Sequence, residues 1–321
     1  MYKGAKVAAV VPAFKEERMI GRVISTMPAF VDHIIVIDDH SPDRTSEEAL
    51  AVGDQRVTLI RHEVNKGVGG AVVTGHLRAI ELGSDVNVVM AGDAQMDPAY
   101  LSALLDEVTD GGYGFAKANR FFSPESFRGM PRHRVFGNIL LSFLTKFASG
   151  YWHLFDPQNG YTAVRTQDLR RVPLGSLSER YSFENDLLIR LNIIQVSAKD
   201  VPIPAVYGDE VSSIALRKVI PELVSLLTKG FWRRMWYRYV LWSFSPIALL
   251  LFAGLVLLLL GTGISVWLAT LVIGSPSATA ASVMLAVLPL MLGIQFLVSA
   301  LQLDIAASPS TPTHAPFKTG D

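Results

Sequence analysis

Asp93, Gln95 and Asp97 close the segment Val88-Val89-Met90-Ala91-Gly92-Asp93-Ala94-Gln95-Met96-Asp97-Pro98. An apolar run that halts at a carboxylate flanked by Gly and Ala reads as a buried strand ending at a ligand site. Small neighbours leave room for a bulky anion, and a carboxylate set beside diphosphate normally needs a divalent cation between them. Asp97-Pro98 carries a different signal, an N-cap followed by proline at the first helical position. Asp93 is therefore expected at a strand's carboxyl end, where open α/β sheets bind ligands, and Asp97 at a helix start.

Three further strand ends carry polar or glycine-rich residues: Pro12-Ala13-Phe14-Lys15-Glu16-Glu17, Asp38-Asp39-His40-Ser41-Pro42-Asp43-Arg44-Thr45 and Asn65-Lys66-Gly67-Val68-Gly69-Gly70-Ala71. Singly each is weak, since glycines also make turns and Ser41-Pro42 also starts a helix. Together they converge on one edge of a sheet. An NKGVGG segment opening a helix suits phosphate through backbone N–H groups. It lacks the GxxxxGK[ST] spacing of a P-loop, and the GxGxxG dinucleotide pattern is absent.

The elements that must position these residues follow from hydrophobic period. Strands are expected at Lys6–Pro12, Ile34–Asp38, Val57–Arg61, Val86–Met90 and Gly114–Ala118, with helical stretches near Glu16–Met27, Pro42–Ala51, Gly67–Leu82 and Pro98–Thr109. This alternation predicts an α/β fold, a mostly parallel sheet with helices on both faces.

The 321 residues contain no Cys and carry a formal net charge of zero. Disulfides and thiolate metal sites are excluded, and a general nucleic-acid binder is disfavoured. The seven His are scattered without zinc-enzyme spacing. Val7–Val11 is too short for a secretory signal core and is interrupted by Pro12, so the amino-terminal domain is expected in the cytosol.

Ser245 to Ser275 holds no charge, and a second uncharged stretch runs from Pro276 to Leu303. Each exceeds the roughly 20 apolar residues that cross a bilayer as a helix. Spans at about 245–273 and 279–303, within 244–306, form a transmembrane hairpin turning at Gly274-Ser275-Pro276-Ser277. Residues 214–243 before it hold Arg217, Lys218, Lys229, Arg233, Arg234 and Arg238 against the single acid Glu222, interleaved with Phe231, Trp232, Trp236, Tyr237, Tyr239 and Trp242. Cations with headgroup-seeking aromatics predict an interfacial helix, interrupted near Pro221, and place this flank on the cytoplasmic side of the cell membrane. Residues 1–213 form the cytosolic domain, and the Pro/Ser/Thr-rich residues 307–321 are expected to be a disordered tail.

VVPAFKEE, VIDDHSPDRT, NKGVGGAV and AGDAQMDP, in that order and spacing, resemble family 2 glycosyltransferases of the Rossmann-like GT-A fold. With the hairpin, the chain looks like a polyprenyl-phosphate glycosyltransferase of the dolichyl-phosphate mannose synthase type. The resemblance implies a nucleoside-diphosphate-sugar donor (GDP-mannose or UDP-glucose type) against Pro12, Ala13, Glu16, Asp38 and Asp39, with Lys66, Gly67 and Ala91 beside it. It makes Asp93 and Gln95 the site of Mg²⁺ or Mn²⁺. The family segment is usually Asp-x-Asp-x-Gln, and here Ala91 stands where its first Asp belongs, while Lys15 replaces a frequent Asn. One carboxylate with donor phosphates still suffices for magnesium.

Related enzymes grip the lipid phosphate with an Arg after the fifth strand, another 14 residues on, and a polar residue four later, a spacing that falls on Arg120, Arg134 and Asn138. Arg suits this task because its planar fork makes paired charge-assisted bonds to phosphate. Gly137–Leu144 is apolar enough to lie in the membrane surface. Asp156-Pro157-Gln158-Asn159-Gly160-Tyr161 resembles the turn at the acceptor site, and Phe183-Glu184-Asn185-Asp186 a later acidic motif whose Glu184 or Asp186 binds sugar hydroxyls or acts as base. Tyr207–Ser213 resembles a closing loop, with Arg217 or Lys218 substituting for a Lys missing at Ser213.

The implied reaction is inverting transfer of one sugar to polyprenyl (dolichyl or undecaprenyl) phosphate, with Asp93, Arg120, Arg134, Glu184 and Asp186 as the catalytic set. The expected partners are the donor, the lipid and the membrane, with no nucleic acid and with room for a homo-oligomer. A processive polysaccharide synthase would carry Gln-x-x-Arg-Trp near its spans, and Phe231-Trp232-Arg233-Arg234-Met235-Trp236 lacks the Gln. A non-catalytic nucleotide-sugar-binding subunit has the missing first Asp as its only support.

Overall fold

The computed structural model describes residues 1–122, 132–204, 216–272 and 279–317. Contacts divide the chain into two compact units, Met1–Phe231 with Pro309–Asp321, and Trp232–Ser308.

In the first unit the strands are β1 (Val7–Ala13), β2 (His33–Asp38), β3 (Val57–Arg61), β4 (Val86–Val89), β5 (Phe115–Asn119), β6 (Thr162–Arg165) and β7 (Ala198–Pro202). The helices are α1 (Ile20–Ser25), α2 (Thr45–Ala51), α3 (Gly67–Glu81), α4 (Leu101–Thr109), α5 (Arg132–Ser149), α6 (Thr166–Leu169), α7 (Phe183–Ile193) and α8 (Leu216–Arg234), the last running into the second unit. One seven-stranded sheet has the order β3-β2-β1-β4-β6-β5-β7. Only β6 runs antiparallel to its neighbours β4 and β5. Strand side chains alternate between the two faces: Val7, Ala9 and Val11 pack with Leu101, Leu104 and Leu105, whereas Val10 packs with Val72 and the α7 residues Leu187 and Leu188. Both faces are covered, so the strands read as continuous apolar runs.

The five expected strands are present within a residue of their expected ends. β6 and β7 were not anticipated, because Thr-Ala-Val-Arg is only four residues long and Ala-Lys-Asp-Val-Pro carries two charges. α1 begins at Ile20 rather than Glu16, because residues 16–19 form a turn in which the Met19 and Ile20 N–H groups both donate to the Glu16 carbonyl. The helix expected to be interrupted near Pro221 runs through it, then continues as a seven-residue π-helix, Met235–Leu241.

The expectation of a disordered tail is corrected for residues 309–317. They hydrogen-bond to the first unit: the Pro309 carbonyl accepts from Ala198 N at 3.1 Å, and His314 N donates to the Gly112 carbonyl at 3.0 Å. His314 Nε2 meets Asp168 Oδ2 at 2.8 Å, and Phe317 lies under the Arg165 guanidinium at 4.5 Å. Low-complexity composition missed this because ordering comes from specific polar partners on the domain, not from an apolar period in the tail.

The second unit contains α9 (Pro246–Val272) and α10 (Ala280–Ala306). Both are long and apolar enough to cross a membrane, and only 22% and 11% of their most apolar windows are buried. A core helix of a water-soluble protein would be mostly covered, so these surfaces need an apolar solvent. They pack through small residues: a Cβ on Gly254 would lie 3.0 Å from the Gly293 carbonyl, and the reverse holds at the same distance. The turn expected at 274–277 lies outside the described residues. Arg234, fully buried, pairs with Asp304 at 2.5 and 3.0 Å, and Tyr239 OH donates to the same carboxylate at 2.6 Å.

Candidate functional site

The carboxyl ends of β1 and β4 lie side by side, and the chain beyond β4 stays close, with Gly92 N donating to the Pro12 carbonyl at 3.0 Å. A Cβ on Gly92 would come within 3.1 Å of Ala13 Cβ, so the small residue permits this approach. Beside it is a cavity of about 270 Å³ whose walls include Pro12, Ala91, Lys117, Asn159, Tyr181 and Glu184. Three residues expected at the site, Pro12, Ala91 and Glu184, are thus brought to one cavity, although they lie far apart in sequence.

Glu184 is the acid among them. It lies in the first turn of α7 against Phe183, Leu187 and Leu188, which also line the cavity. Burial there pushes its carboxyl from 4.5 up to about 7. Asp186 points elsewhere: its carboxylate accepts from Ser178 N at 3.2 Å and Arg190 Nε at 3.3 Å, tying α7 to the preceding loop. The acidic motif therefore divides into one cavity residue and one brace.

Asp93 and Gln95 lie half-buried on the loop after β4, outside the cavity wall. Gln95 N donates to Asp93 Oδ1 at 3.0 Å, and Ala94 between them takes a left-handed φ of 59°. Asp97 caps the short turn Pro98–Tyr100 by accepting from Ala99 N at 2.9 Å, as an N-cap should. No group of three or more His, Cys, Asp or Glu side chains among the described residues is placed to hold a metal. One carboxylate and one amide nevertheless match a hard cation that takes most of its oxygens from water and substrate phosphate. A second cavity, about 340 Å³, lies between this loop and α1, with Arg22 and Asp97 as its charged lining residues.

The residues expected to meet the nucleotide have protein partners. Asp38, fully buried, accepts from Ser41 N at 2.8 Å and from the Ser46 hydroxyl. Asp39, also buried, accepts from Lys66 N at 2.8 Å, Gly67 N at 2.7 Å and His62 Nδ1 at 2.7 Å. Glu16 N is held by Thr45 Oγ1 at 2.9 Å, and Ala13 is part of the core. The phosphate-cradle reading of NKGVGG is corrected accordingly. The Lys66 and Gly67 N–H groups are spent on Asp39, and Gly70 N donates to the Glu179 carbonyl at 3.0 Å. The glycines serve close backbone packing instead, since a Cβ on Gly69 would strike the Ser178 carbonyl.

On the expected acceptor side, Arg120 forms a bidentate pair with buried Asp156, Nε to Oδ2 at 2.8 Å and Nη2 to Oδ1 at 2.9 Å. Burial opposes the charge on Asp156, but the two Arg120 bonds and the guanidinium charge outweigh it and hold the carboxyl below its usual range. Asn138 is half-buried on α5. Arg134 lies in the first turn of the same helix. The closing loop at Tyr207–Ser213 lies outside the described residues. Two residues, Lys117 and Asp200, escaped sequence reasoning. Lys117, inside β5, has its ammonium 2.6 Å from the Phe155 carbonyl, 2.7 Å from the Asp156 carbonyl and 3.4 Å from Asp200 Oδ1. A charged residue inside the apolar strand Phe-Ala-Lys-Ala-Asn was the available signal.

Residues 8–172 match the family model described as glycosyl transferase family 2. The chain belongs to this family. Among curated family members it is similar to a UDP-N-acetylglucosamine–dolichyl-phosphate N-acetylglucosaminyltransferase of Methanococcus voltae, 30% identical over 62% of this chain and 85% of that one. It is also similar to a polyprenol monophosphomannose synthase of Mycolicibacterium smegmatis, 31% identical over 62% of this chain and 76% of that one. Among solved structures it resembles the family-fold glucosyl-3-phosphoglycerate synthase of Mycobacterium tuberculosis, solved with Mn²⁺, UDP and phosphoglyceric acid. That match has a TM-score of 0.54 and 19% identity, and covers 72% of this chain and 78% of that one. As a family 2 glycosyltransferase with a mostly parallel sheet, this chain is a sugar-transferring enzyme.

Proposed function

We propose that the protein moves one sugar from a nucleoside-diphosphate sugar to a polyprenyl monophosphate, with inversion at the anomeric carbon. The observation that carries this reading is the joining, in one chain, of a family 2 domain to two exposed apolar helices long enough to cross a bilayer. Relatives named for dolichyl and polyprenol phosphate support it. The basic, aromatic flank before α9 argues for a cytoplasmic catalytic domain. α5 supports the same placement, exposing Phe136, Ile139, Leu140, Phe143 and Phe147 at helical spacing, a face suited to lipid.

An acceptor phosphate with a second pKa near 6 is already largely dianionic at pH 7 and needs little help from a base. The protein's task is then to place the nucleophile in line and to hold the sugar. Glu184, on the cavity wall, receives donor hydroxyls. Arg120 and Arg134 orient the acceptor phosphate, with Asn138 beside them. Asp93 and Gln95 would hold Mg²⁺ or Mn²⁺, which when bound neutralises charge on the departing diphosphate. A neighbour in fold solved with Mn²⁺ and UDP is consistent with that donor set.

The test is transfer of radiolabel from candidate nucleotide sugars into butanol-extractable lipid by detergent-purified protein. Wild type should label polyprenyl phosphate, and Asp93→Ala should lose at least about a hundredfold, as loss of charge stabilisation in the transition state predicts. Equal labelling by the two removes the metal assignment. Absence of label with every donor, despite nucleotide binding, removes the enzyme reading.

A further inference from the structure

Arg120 does not stand alone in the fold. Its guanidinium is fixed by Asp156, which also accepts from Arg120 N at 3.1 Å. Asp156 takes a left-handed φ of 49°, so the turn carrying it needs outside support. That support comes from a buried pair beneath the turn. The Lys117 ammonium binds the carbonyls of Phe155 and Asp156, at 2.6 and 2.7 Å. Asp200 Oδ2 accepts from Phe155 N at 2.6 Å and from Asn119 Nδ2 at 3.1 Å. Each polar group of the Phe155–Asp156 stretch named here is therefore gripped from β5 or β7. Phe121 and Phe155 close the arrangement edge to face at 6.3 Å.

We infer that Lys117, Asp156 and Asp200 are positioning residues that mount the Arg120 fork at the angle an acceptor phosphate requires. The inference rests on the acceptor reading of Arg120 given above. The chemistry favours a mount over a simple structural pair. Two charges of each sign converge on one turn, with Lys117 and Asp156 sealed and Asp200 nearly so, and apolar residues could replace such a buried pair at little or no cost in stability alone. Arg120 keeps 36% of its side chain open to solvent although its partner is sealed. A bidentate grip on one edge of a guanidinium fixes its plane, whereas a flexible arginine would have to lose that freedom when the phosphate binds.

The experiment compares steady-state kinetics of wild type with Arg120→Ala, Asp156→Asn and Asp200→Asn, varying lipid phosphate and donor separately. Asp156→Asn retains one acceptor but loses the paired geometry. Its apparent KM for polyprenyl phosphate should rise about tenfold, with kcat and the donor KM within about twofold of wild type, the pattern of a misaimed binding group. Asp200→Asn should shift the same constant in the same direction, and an unchanged donor KM shows that each variant is folded. Arg120→Ala should raise the lipid KM further, and Asp156→Asn should add nothing in its background. An unchanged or lowered lipid KM in Asp156→Asn, with Arg120→Ala impaired, overturns the mount and makes Asp156 a competitor of the phosphate. A lipid KM insensitive to Arg120→Ala overturns the acceptor reading itself, and the mount with it.

Discussion

Replacing Glu184 with Gln should make the domain more stable and the enzyme worse, with a pH signature that identifies the cause. The Glu184 carboxyl rises from 4.5 to about 7 on folding. Each tenfold is about 1.4 kcal/mol, so forming the carboxylate in its apolar wall costs the folded state up to about 3 kcal/mol above pH 7. Between pH 4.5 and 7 the folded protein binds more protons at this site than the unfolded chain does. Stability therefore falls as pH rises through that window. His76 works in the opposite sense: burial holds its imidazole down to about 4, so it loses stability as pH falls below 6.5. The two slopes oppose each other, so the wild-type profile alone would not reveal Glu184. The difference between variant and wild type isolates Glu184, because His76 is common to both. That difference should be near zero at pH 4.5 and reach up to about 3 kcal/mol at pH 8. For a domain of this size this is an increase of roughly 6 to 12 °C in apparent melting temperature, read by thermal unfolding in detergent. At pH 8 the same variant should lose transfer activity. A pH-independent difference, or a destabilised variant, would refute the burial argument for Glu184.

Asp39→Ala should cost about 3 kcal/mol or more, because it orphans the Lys66 and Gly67 N–H groups and His62 together. Thermal unfolding checks it, and an unchanged melting temperature with weakened nucleotide binding would make Asp39 a ligand contact instead. Asp304→Leu should destabilise the second unit by about 3 to 5 kcal/mol by stranding Arg234, whereas Arg234→Met with Asp304→Leu should recover most of the loss. Heating in detergent with a gel-filtration readout distinguishes the two variants.

Legibility in the sequence depended on distance along the chain. β1 to β5 and α3 were readable because each contains its own apolar period, and α9 and α10 because a long uncharged run has few other uses. β6 was not, since four residues gain their place only from partners on both sides. At the site, Pro12, Ala91 and Glu184, each singled out separately in the sequence, line one cavity. Local chemistry could not tell Glu184 from Asp186, because only the packing of α7 decides which acid lines the cavity. Nor could it show that Asp39 would consume the N–H groups of the glycine turn, a contact between residues 27 and 28 positions apart. The pairing of Lys117 with Asp200, made across two strands, was invisible for the same reason.

The returning tail has a topological consequence. Residues 309–317 hydrogen-bond to the same unit that begins at Met1, so they must share its aqueous compartment. Under the proposed membrane placement, the chain between Phe231 and Pro309 therefore traverses the bilayer an even number of times. Two helices satisfy that parity and one does not. On that topology, deleting α10 alone would strand residues 309–317 in the opposite compartment and cost Asp168 its His314 contact and Arg165 its bond to the Ala315 carbonyl.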